Sequence, residues 1–306
     1  MANEYDVVIV GGGAAGLTAG MYAARYGMRT AIVERMMGGN QIINVDKIEN
    51  FPGFPQGVSG AELGPLMQEQ AMDAGAEFVM AEATDAVLDG PYKVIRTSDG
   101  DYRARALIVA AGSSLRKMGI PGEEEFYGSG VSHCATCDGP LFKGEVVGVI
   151  GGGDSAGDEA LTLTEYTDRV ILFHRGDRLD AQKIIQDRVI RSPNVEIIYN
   201  TTVEAILGDG LVTGVQVRNK ITNFSDRMSL AGVFVYVGLE PNTEFVRGIV
   251  KTDNAGHIPV NTWMETDVPG VYAAGDIRQN SAAQLVSSAG DGATAATAAF
   301  RFISGQ

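Results

Sequence analysis

The stretch VVIVGGGAAGLTAG, from Val7 to Gly20, decides the fold of this chain. Its β-branched apolar run predicts a buried strand, its three glycines predict a tight turn, and the small residues after them begin a helical pattern. Strand, glycine turn and helix in this order open a βαβ dinucleotide-binding unit. A second stretch, VVGVIGGGDSAGDEA from Val146 to Ala160, repeats the pattern. The sequence therefore predicts two such units, about one in each domain.

Three glycines in and just after the first turn, Gly11, Gly13 and Gly16, fit the geometry of a dinucleotide site. Gly11 permits the sharp turn after the strand, Gly13 lets the backbone approach a pyrophosphate, and Gly16 lets the helix pack closely on the strand. The pyrophosphate then lies at the helix N-terminus, where free N–H groups and the helix dipole favour an anion. Glu34 ends the next apolar run, Thr30–Glu34, at the distance expected for an acid that accepts both hydroxyls of an adenosine ribose.

The second unit differs at the position that corresponds to this acid. Glu34 lies 23 residues after Gly11, and the residue 23 positions after Gly151 is His174. His174 ends the strand pattern RVILFH and is followed by Arg175. A histidine and an arginine do not repel a 2′-phosphate, so this position favours NADP over NAD. Asp177 and Asp180 lie close by and oppose that preference, because like charges repel. The sequence predicts NADPH ahead of NADH for the second nucleotide.

Composition limits the partners and the compartment. The 306 residues allow two domains, and 24 Lys plus Arg against 38 Asp plus Glu give a net charge of −14. A chain this acidic argues against nucleic acid and against an anionic membrane, since both attract basic faces. The chain has no run of about 20 apolar residues that would span a bilayer, and no basic segment precedes the first strand as in a signal peptide. We expect a cytoplasmic protein with no nucleic acid and no membrane partner.

Further strand and turn patterns indicate that one domain interrupts the other. Tyr102–Ala110 and Gly270–Asp276 predict strands, and Ala289–Phe300 predicts an Ala-rich helix. Connectors containing Gly and Pro, KMGIPGE at 117–123 and GLEPN at 238–242, flank the second unit. The sequence therefore predicts an α/β chain of two Rossmann-like dinucleotide-binding domains of the three-layer ββα kind, the second inserted in the first. The expected ranges are 1–117 with 243–306 for the first domain and 118–242 for the second.

The two cysteines, Cys134 and Cys137, form a CxxC motif in SHCATCDGP. Such a pair can cycle between disulfide and dithiol with little backbone movement, and a helix start stabilises a thiolate there. Asp138 follows directly, and its carboxylate can exchange a proton with a thiol or can cap a helix. A zinc site needs two more ligands, and the chain has three histidines and no other cysteine, so we expect no metal. An inert buried pair is the other alternative.

A flavin connects the two nucleotide units to the cysteines. A dithiol pair does not accept a hydride directly from a nicotinamide, whereas a flavin takes two electrons as a hydride and passes them to a disulfide. Two dinucleotide-binding units and one CxxC pair therefore predict an electron path from NAD(P)H through FAD to Cys134–Cys137, and from there to an external disulfide.

On these motifs the chain resembles the low-molecular-weight, FAD-containing thioredoxin reductases of the CATC type over essentially its full length. The segment CATCDG, placed just before the second glycine turn, is specific to this family, whereas larger relatives carry the cysteine pair in the first domain. The other matching segments are GGGAAG (Gly11–Gly16), GGNQ (Gly38–Gln41), IENFPG (Ile48–Gly53), GGGDSA (Gly151–Ala156) and GVYAAGD (Gly270–Asp276).

The resemblance implies a role for each matching position. Cys137 would face the flavin, Cys134 would attack the disulfide of thioredoxin or a similar small protein, and Asp138 would act as acid and base. FAD would be held by Gly11, Gly13, Ala15, Gly16, Glu34, Gln41, Asn50, Gly275, Asp276 and Gln284. NAD(P)H would be held by Gly151, Gly153, Asp154, Ser155, Ala156, His174, Arg175 and Arg178. The family is homodimeric, and its domains rotate so that the dithiol meets flavin and protein substrate in turn, with hinges expected near 117–123 and 238–242.

Departures from the family pattern concern the nicotinamide nucleotide. The family's phosphate-binding run is His-Arg-Arg with a further Arg, and here Gly176 and Asp180 replace two of these arginines. Another basic residue of the family, near the flavin, is Ala283 in this chain. Each lost charge-assisted contact costs about 1.5–3 kcal/mol of binding. Three alternatives to an NADPH-dependent reductase therefore stay open: NADH as the donor, a donor that is not a nicotinamide, and an FAD-dependent dithiol oxidase.

Overall fold

A computed structural model describes residues 3–37 and 39–306, so Gly38 of the GGNQ segment lies outside the described residues. The strands are β1 (Asn3–Val10), β2 (Thr30–Glu34), β3 (Glu77–Met80), β4 (Ala83–Asp89), β5 (Tyr92–Thr97), β6 (Gly100–Val109), β7 (Ser113–Leu115), β8 (Val131–Ser132), β9 (Val146–Gly151), β10 (Arg169–Phe173), β11 (Val195–Ile198), β12 (Thr201–Asp209), β13 (Leu211–Asn219), β14 (Ser225–Ser229), β15 (Gly232–Tyr236), β16 (Leu239–Pro241) and β17 (Val271–Ala273). The α-helices are α1 (Ala14–Arg25), α2 (Gly60–Asp73), α3 (Ala135–Asp138), α4 (Asp154–Leu163), α5 (Lys183–Arg191) and α6 (Leu285–Ser304). Short 3-10 helices span Asn40–Asn44, Gly139–Phe142, Glu244–Val246 and Gly275–Ile277.

The chain divides into two compact units. Unit 1 comprises Met1–Ser114 and Glu240–Gln306, and unit 2 comprises Leu115–Leu239, so the second unit is inserted in the first. The chain passes between the units within β7 and β16, two short strands that pair with each other. The predicted ranges put both passages three residues further along, inside or next to the Gly- and Pro-containing connectors.

The connector at 117–123 folds as part of unit 2 because a buried acid organises it. The two carboxylate oxygens of Glu123 accept the N–H groups of Met118 and Gly119 at 2.9 Å and 2.7 Å. Glu123 is only 3% exposed. The two glycines and the proline of this segment therefore serve a closed turn that follows the passage between the units.

Unit 1 is built on a sheet whose central strands are apolar on both faces. The parallel order is β3-β2-β1-β6, with β17 also pairing with β6, and antiparallel β5 and β4 extend the edge. One face packs against α1 and α6, and the other packs against a cluster that includes Phe245, Val246 and Ile258. A Cβ at Gly292 of α6 would lie 2.1 Å from the carbonyl oxygen of Ala15, so only a helix of small residues can approach α1 this closely.

Unit 2 has the three layers that the sequence predicted. Its parallel sheet has the order β11-β10-β9-β15-β8, and α4 and α5 cover one face. The antiparallel sheet β12-β13-β14 covers the other face through residues such as Val203, Ile206 and Val215. Sheet, sheet and helix form the ββα arrangement, and the predicted fold class is confirmed. None of the helices within the described residues is both long and apolar enough to span a bilayer.

Candidate functional site

A cleft of about 560 Å³, counting the open solvent at its mouth, lies in unit 1 at the carboxyl ends of β1, β2, β6 and β17. Ligands of open α/β sheets bind at this edge, because the connecting loops and helix N-termini meet there. Of the residues predicted to hold FAD, the cleft brings together Gly13, Ala15, Glu34, Gln41, Gly275 and Asp276. Asn50 and Gln284 are not among its lining residues, and they pair with each other, Asn50 Nδ2 donating to Gln284 Oε1 at 2.9 Å.

The glycines of this segment divide into those that the protein's own backbone requires and one, Gly13, that has open space beside it. Gly11 has φ +113°, and a Cβ there would lie 2.2 Å from the carbonyl oxygen of Ala110. A Cβ at Gly16 would lie 1.8 Å from the oxygen of Gly11. Gly13 lines the cleft, and in the described part of the chain nothing lies within 4 Å of the place where its Cβ would be. The missing side chain at Gly13 therefore leaves space for a ligand next to the N-terminus of α1, as a pyrophosphate needs.

Glu34 is held at the edge of the cleft by backbone donors. Its Oε2 accepts the N–H of Gly12 at 2.8 Å, and its Oε1 accepts the N–H groups of Arg35 and Met36 at 2.8 Å and 3.2 Å. The residue is 7% exposed. Three N–H donors fix the orientation of an ionised carboxylate, which is the acceptor that ribose hydroxyls require.

Asp276 presents a half-buried carboxyl group to the same cleft from the 3-10 turn after β17. Its Oδ1 accepts hydrogen bonds from the hydroxyls of Ser281 and Ser288 at 3.2 Å and 3.3 Å. Burial raises the pKa of the Asp276 carboxyl above its usual range, and the two serine hydroxyls partly offset this. A partly desolvated carboxyl gains favourable contacts when the hydroxyls of a polyol chain bind beside it, so Asp276 fits the ribityl part of FAD.

A buried ion pair that the sequence analysis missed supports the Asp276 turn. Arg278 Nε donates to Asp291 Oδ2 at 2.6 Å, and the side chains are 16% and 10% exposed. The same Asp291 oxygen accepts the N–H of Gly275 at 3.1 Å. Arg278 lies beside the GVYAAGD segment and Asp291 lies in α6, and only the packing of α6 brings them together. The pair fixes the backbone immediately before Asp276.

The cysteines of unit 2 form a disulfide at the start of α3, with the Cα atoms 5.3 Å apart. Cys134 is the N-cap residue, and its Sγ accepts the N–H of Cys137 at 3.2 Å. Cys137 is exposed and Cys134 is half-buried. A hydrogen bond donated to a sulfur stabilises the thiolate form of that sulfur once the disulfide is reduced.

Asp138 belongs to the same turn as the disulfide. Ser132 Oγ donates to Asp138 Oδ2 at 2.5 Å and accepts the N–H of Cys134 at 3.1 Å. The side chain of Asp138 makes no capping hydrogen bond to the 3-10 helix that follows it. The carboxylate is therefore linked through one hydroxyl to the backbone of Cys134, which suits a proton-exchanging group better than a helix cap. Ser132, whose side chain is the link, was not among the residues chosen from the sequence.

Two further groups beneath the disulfide also escaped the sequence analysis. Glu159 Oε2 accepts the N–H of Ala135 at 2.8 Å and the O–H of Tyr236 at 3.0 Å. Burial raises the pKa of the Glu159 carboxyl and also that of the Tyr236 phenol. Glu159 is 24 residues from Ala135 and 77 from Tyr236, so no local pattern connects the three.

The second glycine turn packs against a histidine. His174 is 4% exposed, and its Nδ1 lies 3.0 Å from the carbonyl oxygen of Gly151. Because a carbonyl oxygen can only accept, Nδ1 carries a proton. A Cβ at Gly152 would lie 2.0 Å from Nδ1, and a Cβ at Gly176 would lie 2.7 Å from Nε2. His174 is thus placed behind the turn, whereas Arg175 is exposed to solvent.

The loop after β10 folds back onto this turn. The N–H groups of Asp180 and Ala181 donate to the carbonyl oxygen of Gly152 at 2.7 Å and 3.0 Å. Asp154, the first residue of α4, accepts the backbone N–H and the side-chain amide of Gln182 at 2.7 Å and 2.6 Å. The predicted nucleotide residues therefore surround one turn, with Arg178, Ser155 and Arg175 exposed and Ala156 buried in the core.

Comparison with known proteins identifies the family. Residues 5–293 match the family described as pyridine nucleotide-disulphide oxidoreductase. The thioredoxin reductase of Treponema pallidum is 43% identical over 303 residues, which cover 99% of this chain and 98% of that protein. The chain belongs to the thioredoxin reductase family. It is a flavoprotein oxidoreductase that acts on a disulfide, as the sequence predicted, and FAD and NADPH are the cofactors of its family.

Solved structures agree with this assignment. The crystal structure of Lactococcus lactis thioredoxin reductase in its FR conformation is 41% identical, with a TM-score of 0.96, and covers 99% of this chain and 100% of that one. A ferredoxin-flavin thioredoxin reductase from Clostridium acetobutylicum is also similar, with 29% identity, a TM-score of 0.56 and full coverage of both chains.

Proposed function

We propose that this thioredoxin reductase family member transfers electrons from NADPH through FAD to Cys134–Cys137, and from there to the disulfide of thioredoxin or a similar small protein. The observation that carries the proposal is the turn of unit 2 from Ser132 to Asp138, which we call the redox turn. It holds a disulfide, a sulfur that accepts a backbone N–H, and an acid linked to the same turn through Ser132.

FAD, when bound, accepts a hydride and delivers two electrons to a disulfide. In this proposal the residues of the unit 1 cleft bind and orient it. The open space at Gly13 and the N-terminus of α1 bind the pyrophosphate, Glu34 accepts the adenosine ribose hydroxyls, and Asp276 accepts a ribityl hydroxyl. The amides of Gln41 and of the Asn50–Gln284 pair serve the flavin ring. Gly11, Ala15, Gly16 and Gly275 shape the backbone around these contacts.

The cysteines are first reduced and then exchange electrons with the protein substrate in two thiol–disulfide exchange steps. Two electrons break the Cys134–Cys137 bond and leave one thiolate and, after one proton is taken up, one thiol. The Cys134 thiolate, stabilised by the N–H of Cys137, attacks a substrate sulfur and forms a mixed disulfide, and the other substrate sulfur leaves as a thiolate. The Cys137 sulfur, deprotonated as Asp138 accepts its proton, then attacks Cys134 and releases the reduced substrate.

The second nucleotide in this proposal is NADPH, held at the turn Gly151–Ala156. Asp154 fixes the loop after β10, and the exposed guanidinium groups of Arg175 and Arg178 bind the 2′-phosphate. His174 supports the turn from behind with a protonated Nδ1 and adds no negative charge. Of the family's basic run this site retains His174 and Arg175, and in this proposal Arg178 compensates in part for the two missing arginines.

A donor other than a nicotinamide is the second candidate. Gly176 and Asp180 stand where the family has arginines, and Asp177 adds a further negative charge near the proposed phosphate site. A relative of the same fold with 29% identity is a ferredoxin-flavin thioredoxin reductase, so such donors occur among similar chains. The net charge of −14 opposes an acidic ferredoxin unless a local basic surface receives it.

The homodimer and the cytoplasmic location also belong to the proposal. The resemblance supports the dimer, and sedimentation equilibrium of the FAD-loaded protein tests it. A redox dithiol that must return to its reduced state fits a compartment that keeps thiols reduced.

The proposal is tested by anaerobic reduction of the purified yellow protein with NADPH and, separately, with NADH. We expect NADPH to bleach the oxidised flavin band, and thioredoxin to restore it in wild type but not in Cys134→Ser or Cys137→Ser. Bleaching by NADH alone would replace the nucleotide in the proposal.

A flavin that only dithiothreitol bleaches would contradict the nicotinamide step. Reduced ferredoxin would then be tried as the donor. Oxygen consumption with a small dithiol would indicate the dithiol oxidase instead. A protein that is reduced by NADPH but leaves thioredoxin oxidised would contradict the proposed partner.

A further inference from the structure

Glu159 connects the redox turn to the core of unit 2. The residue lies on α4, and one of its carboxylate oxygens accepts the N–H of Ala135 at 2.8 Å, between the two cysteines. The same oxygen accepts the O–H of Tyr236, at the end of β15, at 3.0 Å. Ala135 is fully buried and Tyr236 is 7% exposed. A carboxylate is thus attached to the backbone of the CxxC turn from the protein side, opposite the solvent-exposed Cys137.

We propose that Glu159 is a positioning residue of the dithiol, and that its negative charge makes the reduction of Cys134–Cys137 depend on pH. The inference rests on the proposed function, in which this pair is the redox centre. Its experiment needs neither nicotinamide nor thioredoxin, so the two proposals fail separately.

The positioning role follows from the hydrogen bonds of α3. The first N–H groups of a helix have no partner within the helix and need one outside it. In α3 the N–H of Cys137 is accepted by Cys134 Sγ, and the N–H of Ala135 is accepted by Glu159. When the disulfide opens, the sulfur of Cys134 loses its covalent restraint, but the hydrogen bond from the N–H of Ala135 to Glu159 is independent of the sulfur and is retained. Glu159 therefore keeps the two cysteines in place while they are apart.

The charge role follows from the low solvent access of the carboxylate. Burial raises the pKa of Glu159, and the two hydrogen bonds lower it only in part. Reduction adds a thiolate nearby, and a like charge raises the pKa of a carboxyl further. The Glu159 carboxyl thus has a lower pKa in the oxidised protein than in the reduced protein. At pH values between these two pKa values, reduction of the disulfide takes up two electrons and one proton and gives a thiol and a thiolate. Glu159 then takes a second proton from water. Above this range Glu159 stays ionised and opposes formation of the thiolate.

Three other titratable groups lie near the turn, and the Glu159→Gln variant leaves all three unchanged. Burial, and then Glu159 itself, raise the pKa of Tyr236, so the phenol stays a neutral donor. Burial lowers the pKa of His133, which stays neutral near neutral pH. Asp138, on α3, is the other acid of the turn and is bonded to Ser132. From the other side, α5 packs on α4 through the apolar side chain of Ile185.

The experiment measures the dithiol equilibrium of the FAD-loaded protein at several pH values. Wild type, Glu159→Gln, Tyr236→Phe and Glu165→Gln are equilibrated without oxygen in mixtures of reduced and oxidised dithiothreitol, from about pH 6 to about pH 9. The mixtures are quenched with acid, and alkylated cysteines are counted by mass. Glu165→Gln removes the same charge from an exposed position just beyond α4 and is the matched control.

We expect Glu159→Gln to favour the dithiol about tenfold over wild type at the alkaline end, equivalent to about 30 mV, and we expect this difference to narrow as the pH falls. Glutamine still accepts the N–H of Ala135, so the turn is retained and the charge alone changes. Tyr236→Phe removes a donor to the carboxylate, raises its pKa, and moves the wild-type transition to higher pH. Glu165→Gln should superimpose on wild type.

Equal equilibrium constants for wild type and Glu159→Gln at every pH would overturn the proposal, as would an equal effect of Glu165→Gln. Flavin absorbance and circular dichroism establish that each variant is folded. If Glu159→Gln does not fold, Tyr236→Phe decides alone, because an unshifted curve in that variant contradicts a role for the carboxylate charge.

Discussion

The two glycine turns share the order of strand, glycines and helix, but they differ in the backbone of their first glycine and in the side chain that lies behind the turn. Gly11 has φ +113°, whereas Gly151 lies outside the left-handed region. In unit 1 a Cβ at Gly12 would lie 2.8 Å from the Cγ of Glu34, and in unit 2 a Cβ at Gly152 would lie 2.0 Å from the Nδ1 of His174. In both turns the residue at the end of the second strand fills the same space. In unit 1 this residue is Glu34, whose carboxylate accepts N–H groups. In unit 2 it is His174, whose ring donates to the carbonyl oxygen of Gly151.

This difference separates what makes a turn from what selects its nucleotide. In the proposed function, the strand, the glycines and the helix N-terminus form the anion-binding part of the turn in both units. In the same proposal, the charge of the supporting side chain selects between ribose hydroxyls, which need an acceptor, and a phosphate, which needs the absence of one. Three pairs of substitutions, one in each unit or within one loop, test this separation.

The largest effect is expected from exchanging the small residues at the third position of each turn. Gly16→Ala places a Cβ 1.8 Å from a backbone oxygen, so the turn must move, at a cost of about 3 kcal/mol or more in unfolding free energy. Ala156→Gly only removes a buried methyl group and costs about 1 kcal/mol. Urea unfolding and the flavin content of the purified proteins measure both. Equal losses would mean that the first turn can relax around an added methyl group, as the second turn already accommodates Ala156.

The next effect concerns the side chains behind the turns. Glu34→Gln replaces the ionised acceptor and should weaken FAD about ten- to hundredfold, since a hydrogen bond to a charged group contributes about 1.5–3 kcal/mol. His174→Gln, its counterpart in unit 2, should leave FAD affinity unchanged and raise the KM for NADPH. Fluorescence titration of the apoprotein with FAD measures the first, and steady-state kinetics the second. Loss of FAD from the His174 variant would contradict the separation.

The smallest effect distinguishes the two positions where the family has arginines. Asp180→Arg puts a cation at an exposed position and should raise kcat/KM for NADPH about tenfold, with less change for NADH. Gly176→Arg should gain less, because its Cβ would lie 2.7 Å from the buried ring of His174. The ratio of kcat/KM values for NADPH and NADH is the measurement. A larger gain from Gly176→Arg would show that the histidine can move.

Local patterns made most of the fold predictable. Glycine turns, β-branched runs and the distance from Gly11 to Glu34 depend on neighbours in sequence, and β2 has the predicted bounds, Thr30–Glu34. The helix predicted at Ala289–Phe300 in fact spans Leu285–Ser304. The prediction began too late because Leu285, Val286 and the two serines after them carry no clear helix-start signal. The inserted unit was predictable because connectors and strand patterns occur in order along the chain.

The supporting contacts were not predictable in the same way. Glu159, Ala135 and Tyr236 meet only because α4 packs beneath α3 and beside the end of β15, which sets which helix residue faces the redox turn. The pairing of Arg278 with Asp291 depends on the placement of α6 in the same manner. A pattern of residue types at His174 indicated a nucleotide contact but could not show that the ring lies behind the turn.

The insertion of unit 2 also fixes an order in time during synthesis on the ribosome. The central strand β6 of unit 1 pairs with β17, from Val271 to Ala273, so roughly 160 residues must be translated before this edge of the sheet can close. At about 5–20 residues per second that takes roughly 8–30 s. All of unit 2, from Leu115 to Leu239, leaves the ribosome within this interval. The redox turn can therefore fold before β17 is available to pair with β6. The cleft proposed to bind FAD is completed only later, when Gly275, Asp276 and Ser288 have been synthesised.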